Sequence, residues 1–327
     1  MVKKHLLWKL IVALFVFNCG CVKAQEGGYL FAHLSHKKGE YDKEYGRMWY
    51  YISKDAKTWT KLNNNQQVEP EYRGHPDIIK GRDGRYYMIG VSETTKNPIL
   101  WTSKDLVKWK QEKELSAEPF INIEGYYTER VWFGAPKLYF DEDSDQYIIT
   151  WHACKPGTTG KEEWTTMRTF YILTKDFKSF TAPERLFDFK TEADREMATI
   201  DVIIRKINGK YYAVIKDERW PEDGEPTGKT IRISHSKNLT GPYTEPSQSV
   251  TTPNVFVEAP ILMPKPNNDG WFIFAERYPF EYLCFEASSM DADKWKKTDI
   301  SIPDARHGAM VRLSEKEYKR ILSSFKK

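Results

Sequence analysis

The chain has 327 residues, of which 40% are hydrophobic and 29% charged, with a mean hydropathy of −0.65. That composition excludes a polytopic membrane protein and a long disordered chain, and the length allows one large domain or two ordinary ones. The formal charge of +4 comes entirely from Lys3, Lys4, Lys9 and Lys23. Beyond residue 24 basic and acidic side chains balance, so no electrostatic argument supports a nucleic-acid partner.

The first residues read as an address. Met1–His5 carries two lysines, and Leu6–Phe17 is apolar apart from Lys9. Such a run is too short to span a bilayer but matches the hydrophobic region of an export signal. Val22-Lys23-Ala24 before Gln25 has the small-residue ending of signal cleavage, whereas Cys19 or Cys21 would accept a lipid. The sequence therefore predicts a signal peptide over residues 1–24, of ordinary or lipoprotein type. The mature protein is expected to be periplasmic, surface-anchored or extracellular, touching a membrane only through a lipid. Cys154 and Cys284 remain, too few for a disulfide framework. Two free, buried thiols are expected.

From residue 25 to 327 one pattern recurs. An apolar segment precedes a Gly- or Asp-opened aromatic strand, and a Ser/Thr-Lys-Asp/Asn turn follows before an aromatic residue. The turns are Ser53-Lys54-Asp55 before Trp59, Ser103-Lys104-Asp105 before Trp109, Thr174-Lys175-Asp176 before Phe180, and Ser236-Lys237-Asn238 before Tyr243. Ser289-Met290-Asp291 before Trp295 is a degraded fifth. Repeats of this size, built of short β-branched and aromatic strands, indicate propeller blades. Four apolar segments, His75–Lys80, Ala135–Phe140, Thr199–Arg205 and Glu258–Met263, precede their partners. His307–Leu313 at the far end supplies the missing fifth. The expectation is a single all-β domain, a five-bladed β-propeller whose ring the C-terminal strand closes, removing an exposed sheet edge. Only Glu315–Phe325 reads as helix.

In an antiparallel blade the first strand starts where the second ends. One mouth of the central channel thus gathers His75, Asp77, Asp201, Glu258, Arg306 and His307 from strand starts. Strand ends add His36, Glu93, His152, Glu218 with Arg219 and Trp220, and Glu276 with Arg277. The segments Lys155–Arg168 and Arg219–Lys229 are long enough to wall it. Asp77, Asp201 and Glu258 are carboxylates inside apolar strand-forming stretches. Burying a charge is costly unless it is paired or used. Three acids from three blades around one hollow suit glycoside hydrolysis, in which one carboxyl protonates the leaving oxygen and one carboxylate activates water. Glu218, Arg219 and Trp220 suit a sugar clamp, Arg130 and Trp132 a cleft wall, and His152, Arg277 and Arg306 further contacts to an oligosaccharide or polysaccharide.

At these residues the chain resembles the family 43 glycoside hydrolases. The likeness runs through Leu30-Phe31, Ser53-Lys54-Asp55, Asn63-Asn64-Asn65, Ala135-Pro136, Ile200-Asp201, Lys216-Asp217-Glu218, Glu258-Ala259-Pro260 and Arg306-His307-Gly308. The resemblance implies an inverting enzyme on a five-bladed propeller, acting on arabinose- or xylose-type sugars of complex glycans. It implies Glu258 as general acid, Asp201 as the residue tuning it, no required cofactor, and His307 on the channel axis, where such enzymes often hold a calcium ion or a water cluster. The chain departs from the family's Asp-Pro at the general base, since His75 stands before Pro76 and Asp77 follows it. Positions 75 and 77 share a face of a strand. Either Asp77 with His75 supplies the base, or His75 does, or the reaction is lost. Lys137 also stands where the family often has glutamate. Two rivals follow: a propeller that binds carbohydrate without cutting it, and a glycosidase using another acid and base around His75 and Glu218.

Overall fold

The computed structural model describes residues 26–325 apart from 36–45, 96, 122, 127–133, 224–226 and 279–280. The export segment with Cys19 and Cys21, as well as His36, Arg130 and Trp132, lies outside the described residues.

The repeats fold as five sheets around a ring. The first orders β19 (Ala305–Ser314), β1 (Glu26–Ser35), β2 (Trp49–Ser53) and β3 (Thr60–Lys61). The second holds β4 (Ile79–Lys80), β5 (Tyr86–Val91), β6 (Pro98–Ser103) and β7 (Trp109–Glu114). The third holds β8 (Gly134–Asp141), β9 (Gln146–Ala153), β10 (Arg168–Thr174) and β11 (Glu184–Arg185). The fourth has β12 (Thr199–Ile207), β13 (Lys210–Asp217) and β14 (Thr230–Ser236). The fifth has β15 (Glu258–Pro264), β16 (Trp271–Arg277), β17 (Glu281–Ala287) and β18 (Lys296–Pro303). The expected five-bladed β-propeller is thus present. β19 pairs antiparallel with β1, from Glu26 opposite Ser314 to Ser35 opposite Ala305, and closes the ring.

The strands are apolar on both faces because each blade is covered by a neighbour on either side. Along β1, Leu30 and Ala32 enter the core shared with Tyr50, Met88 and Trp101 of the first two blades. Phe31 turns the other way, toward Phe272, Phe274 and Tyr282 of the fifth. Ile148 and Ile149 likewise go to different inter-blade cores. Five such cores hold the ring.

The recurring turn has a local cause. Asp55 accepts from the amides of Lys57 and Thr58, both at 2.8 Å. Asp105 accepts from Val107 and Lys108, both at 2.9 Å, and Asp176 from Lys178 and Ser179 at 2.8 and 3.0 Å. Each aspartate satisfies the backbone around a residue of positive φ, namely Ala56, Leu106 and Phe177. Trp109 then donates across a blade boundary to the Tyr50 hydroxyl at 2.7 Å, which places this aromatic in blade packing.

The C-terminal helix Glu315–Phe325 forms as the sequence predicts, and two short helices, Glu118–Ile121 and Lys161–Thr165, were not foreseen. Among the described residues no helix is long and apolar enough to cross a membrane. Cys284 is a free, buried thiol; Cys154 is free but only half-buried, a correction to the expectation that both would be covered.

Ile321 of the C-terminal helix is fully buried, in the core between the closing blade and the second. Ile321→Ala is expected to lower the unfolding free energy in urea by about 2–5 kcal/mol, the range for such a truncation.

Candidate active site

Four of the five inner strands carry a β-bulge where they enter the channel. The register slips between Gly134 and Lys137 in β8, Ile200 and Ile203 in β12, and Glu258 and Ile261 in β15. In β19 it slips around His307, between Arg306 and Gly308. A bulge leaves one residue unpaired and re-aims its side chain. Ala135, Asp201 and Ala259 take positive φ of 37°, 50° and 47° at these points, a strained conformation for residues with a Cβ. The strand starts thereby stop alternating, and side chains from different blades meet at one mouth.

At its centre is His307. Its Nδ1 lies 2.8 Å from Glu276 Oε2 and 3.9 Å from Glu258 Oε1, and its Nε2 lies 3.4 Å from Asp201 Oδ2. Its backbone amide donates to Glu276 Oε2 at 2.7 Å, and Arg306 Nε donates to Glu276 Oε1 at 2.9 Å. Burial alone would lower the His307 pKa, but Glu276 and Asp201 overcome it and raise the value to about 10. The ring is an imidazolium at neutral pH. Burial pushes Asp201 up, yet His307 wins by charge and contact, so Asp201 stays ionised far below the carboxylate range. Glu276, fully buried, is likewise held below its ordinary value by His307 and Arg306 against burial.

Glu258 differs. Its side chain keeps 22% of its exposure and, among the described residues, makes only long ionic contacts, 4.0 Å to Arg306 and 3.9 Å to His307. Burial raises its pKa, His307 opposes, and Glu276 adds to the rise. Its net shift is toward the protonated form, the state a proton donor needs. Asp201 Oδ2 also accepts from the Ala259 amide at 3.2 Å, fixing the backbone beside Glu258.

His75 and His152 face the same hollow as neutral imidazoles. Burial, His307 and Lys137 hold His75 well below 6.5, and burial brings His152 to about 4. The His75 and His307 rings lie 4.5 Å apart. His152 occupies the space above Gly134, where a Cβ would fall 1.9 Å from its Nε2. Glu218 is clasped by Lys216 and Lys229. Lys229 lies 4.7 Å from the Trp220 ring, and burial beside Lys216 lowers its pKa to about 7. The walls from the third and fourth blades meet through Lys161, 2.9 Å from Asp223.

The structure thus brings together Asp201, Glu258, His75, His152, Glu218, Arg306 and His307. It corrects two sequence assignments, those of Asp77 and Arg219. Asp77 is turned away: its Oδ2 accepts from the Leu138 amide at 2.9 Å and its Oδ1 lies 3.4 Å from Arg205 Nη2. The reason is that β4 begins only at Ile79, so strand alternation does not apply to residues 75–77. Arg219 is buried in an ion network with Asp217 and Asp194, at 2.6 and 3.0 Å, and is not offered to a sugar. Arg277 is half-exposed and paired with Glu281. Glu276, noted in the sequence only as a strand end, is the site residue that was missed; its register partner is Glu258 itself.

The calcium ion that the resemblance implies does not fit. Glu258, Glu276 and His307 present one ligand atom each within 4.8 Å, but calcium collects roughly 6–8 oxygens. Both Glu276 oxygens are already engaged, one by Arg306 and the other by the His307 amide. A separate cavity of about 560 Å³ opens at the other end of the channel, between Lys80, Tyr139, Arg205, Met263 and Arg312, away from this cluster.

Because the folded pKa of His307 lies above the ordinary 6.5, its stabilisation is complete below pH 6.5 and is lost as pH rises through about 10. In urea titrations the stability gap between wild type and His307→Gln is expected to be widest below pH 6.5 and to close above about pH 10.

Comparison with known proteins agrees with the fold. A family described as "Probable glycosyl hydrolase domain", related to family 43, matches residues 25–319. An α-L-arabinofuranosidase of Bifidobacterium longum subsp. longum is 24% identical over 290 residues, covering 74% of this chain but only 26% of that protein. The chain therefore spans about a quarter of that relative's length. The solved α-L-arabinofuranosidase of Lactobacillus brevis superposes with a TM-score of 0.52 at 16% identity, over 73% of this chain and 77% of that one. A family 117 glycoside hydrolase of Zobellia galactanivorans superposes with 0.51 at 15% identity, over 70% and 69%. These solved structures share the fold, and with the family match over nearly the whole propeller, the chain belongs to the family 43-related glycosyl hydrolases.

Proposed function

We propose that this protein is an exported glycoside hydrolase that cleaves arabinose- or xylose-type glycosidic bonds of complex glycans with inversion. One observation carries the reading. Glu258 is a carboxyl group pushed toward its protonated form at the channel mouth, beside Asp201 and Glu276, which His307 holds ionised. Two carboxyl groups driven apart in pKa are the usual mark of an acid and its electrostatic support. Glu258 protonates the leaving oxygen. Asp201 sets the position of Glu258 through the Ala259 amide and stabilises positive charge on the sugar. His75, neutral and at the same hollow, accepts the hydrogen bond of the attacking water. The arabinofuranosidase relative supports the sugar type, and the basic and apolar N-terminus supports export.

Carbohydrate binding without cleavage is the second reading. It is favoured by the imidazole of His75 at the position expected of the base and by the diversion of Asp77 to Arg205. Anomeric configuration followed by NMR on aryl arabinosides and xylosides separates the two: inverted product supports the first, and no product the second.

Glu258→Gln is expected to reduce kcat by about 10²–10⁴, the usual contribution of a general acid, with sugar binding and Tm retained. In wild type the rate should fall as pH rises through the elevated pKa of Glu258. Asp77→Asn should act on the fold instead. It weakens the contacts to Arg205 and Leu138, lowering stability by about 1–3 kcal/mol, while the folded enzyme keeps its kcat.

A further inference from the structure

Lys137 stands just past the bulge in β8 and is only 4% exposed. Among the described residues it has no hydrogen-bond or ion-pair partner. Lys137 lies opposite Thr150, which shares a strand face with His152, and its charge acts on His75, His152 and Asp201, so it points toward the hollow where these meet. The other charges of the mouth are already matched. His307 and Arg306 answer Asp201 and Glu276, while Lys216 and Lys229 clasp Glu218. Glu258 tends to the neutral form. Asp201 is committed to His307 and the Ala259 amide. Lys137 is answered only through space by Asp201 and has no partner in contact. Beside it, on the neighbouring strand, His152 Nδ1 is a buried polar atom without a hydrogen-bond partner. A largely buried cation gains from an anion in contact with it, and both groups border the hollow that a sugar would enter.

We propose that Lys137, with His152 beside it, receives an anionic substituent of the bound sugar, a carboxylate or a sulfate ester, so that the enzyme acts on acidic glycans. The inference rests on the glycosidase reading for its substrate but not for its binding site. It agrees with the sugar type above, since a hexuronic acid is a pentopyranose ring of the xylose or arabinose series bearing a carboxylate on C5. An ammonium is a compact charge with rotatable donors, able to meet either anion as a point contact.

The test is calorimetric titration of the full chain with glucuronate, galacturonate and galactose 6-sulfate, against xylose, arabinose and galactose. At least one acidic sugar is expected to bind at least tenfold more tightly than its neutral parent, and the set identifies carboxylate or sulfate as the preferred group. Lys137→Met should abolish that preference while leaving Tm unchanged or higher. Lys137→Gln gives the same two readouts with a polar side chain. Equal binding of acidic and neutral sugars by wild type overturns the proposal, as does a preference that survives in Lys137→Met. A Tm that falls would make Lys137 a structural strut and overturn it too. The two readings fail separately. Acidic sugars bound with preference while no glycoside, neutral or acidic, is cleaved would sink the glycosidase and leave the site. Cleavage of glycosides together with equal binding of acidic and neutral sugars would do the reverse.

Discussion

The fold brings three carboxyl groups into a nearly dry channel mouth, and the proton on His307 makes that tolerable. Removing one partner of a buried ion pair leaves an uncompensated charge and typically costs about 3–5 kcal/mol. Here the compensation is shared across blades: Glu276 comes from β16, Asp201 from β12, and His307 with Arg306 from the strand that closes the ring. The strand that removes the exposed sheet edge is also the one that neutralises the acids. Ring closure and the electrostatics of the site are coupled, because without β19 Asp201 and Glu276 would lose His307, and Glu276 Arg306 as well.

The bulges explain how an alternating strand delivers such a cluster. A regular strand sends neighbouring side chains to opposite blade interfaces, as Leu30 and Phe31 do. A functional residue at the channel must leave that alternation without disturbing the strand beyond. One extra residue at the strand start does this, and the positive φ of Asp201 and Ala259 records its strain. That strain is sustained because the flanking register is pinned by the apolar pairs below, such as Ile203 with Val214 and Ile261 with Phe274.

Much of this was legible in the sequence. The Ser/Thr-Lys-Asp turn signals itself because only a short acceptor side chain satisfies those amides. The blades follow from it, and Asp201, Glu258 and His307 stand out as polar residues in apolar strand starts. What failed were inferences that needed local geometry. Asp77 was read as sharing a face with His75, but the alternation holds only inside a strand, and β4 starts at Ile79. Arg219 and Glu218 are adjacent and looked like one clamp. In the fold Glu218 meets lysines at the mouth while Arg219 turns back to Asp217 and Asp194. Glu276 looked like its exposed neighbour Arg277, though counting the register across from Glu258 would have found it.

The mouth is divided by charge. The side built from the first, fourth and fifth blades is internally balanced and includes the carboxyl group that leans toward the proton. The side built from the second and third blades has neutral imidazoles, His75 and His152, and Lys137, which has no contact partner among the described residues. A substrate bound between them meets an acid on one flank. On the other it meets groups that accept from water and attract an anion. Carboxylates on both flanks would repel an acidic sugar from the hollow. Replacing the carboxylate flank by imidazole and ammonium removes that repulsion, at the expense of a weaker base. The His75 departure and the buried Lys137 are then two consequences of a single demand, that the site admit negative charge without losing its acid.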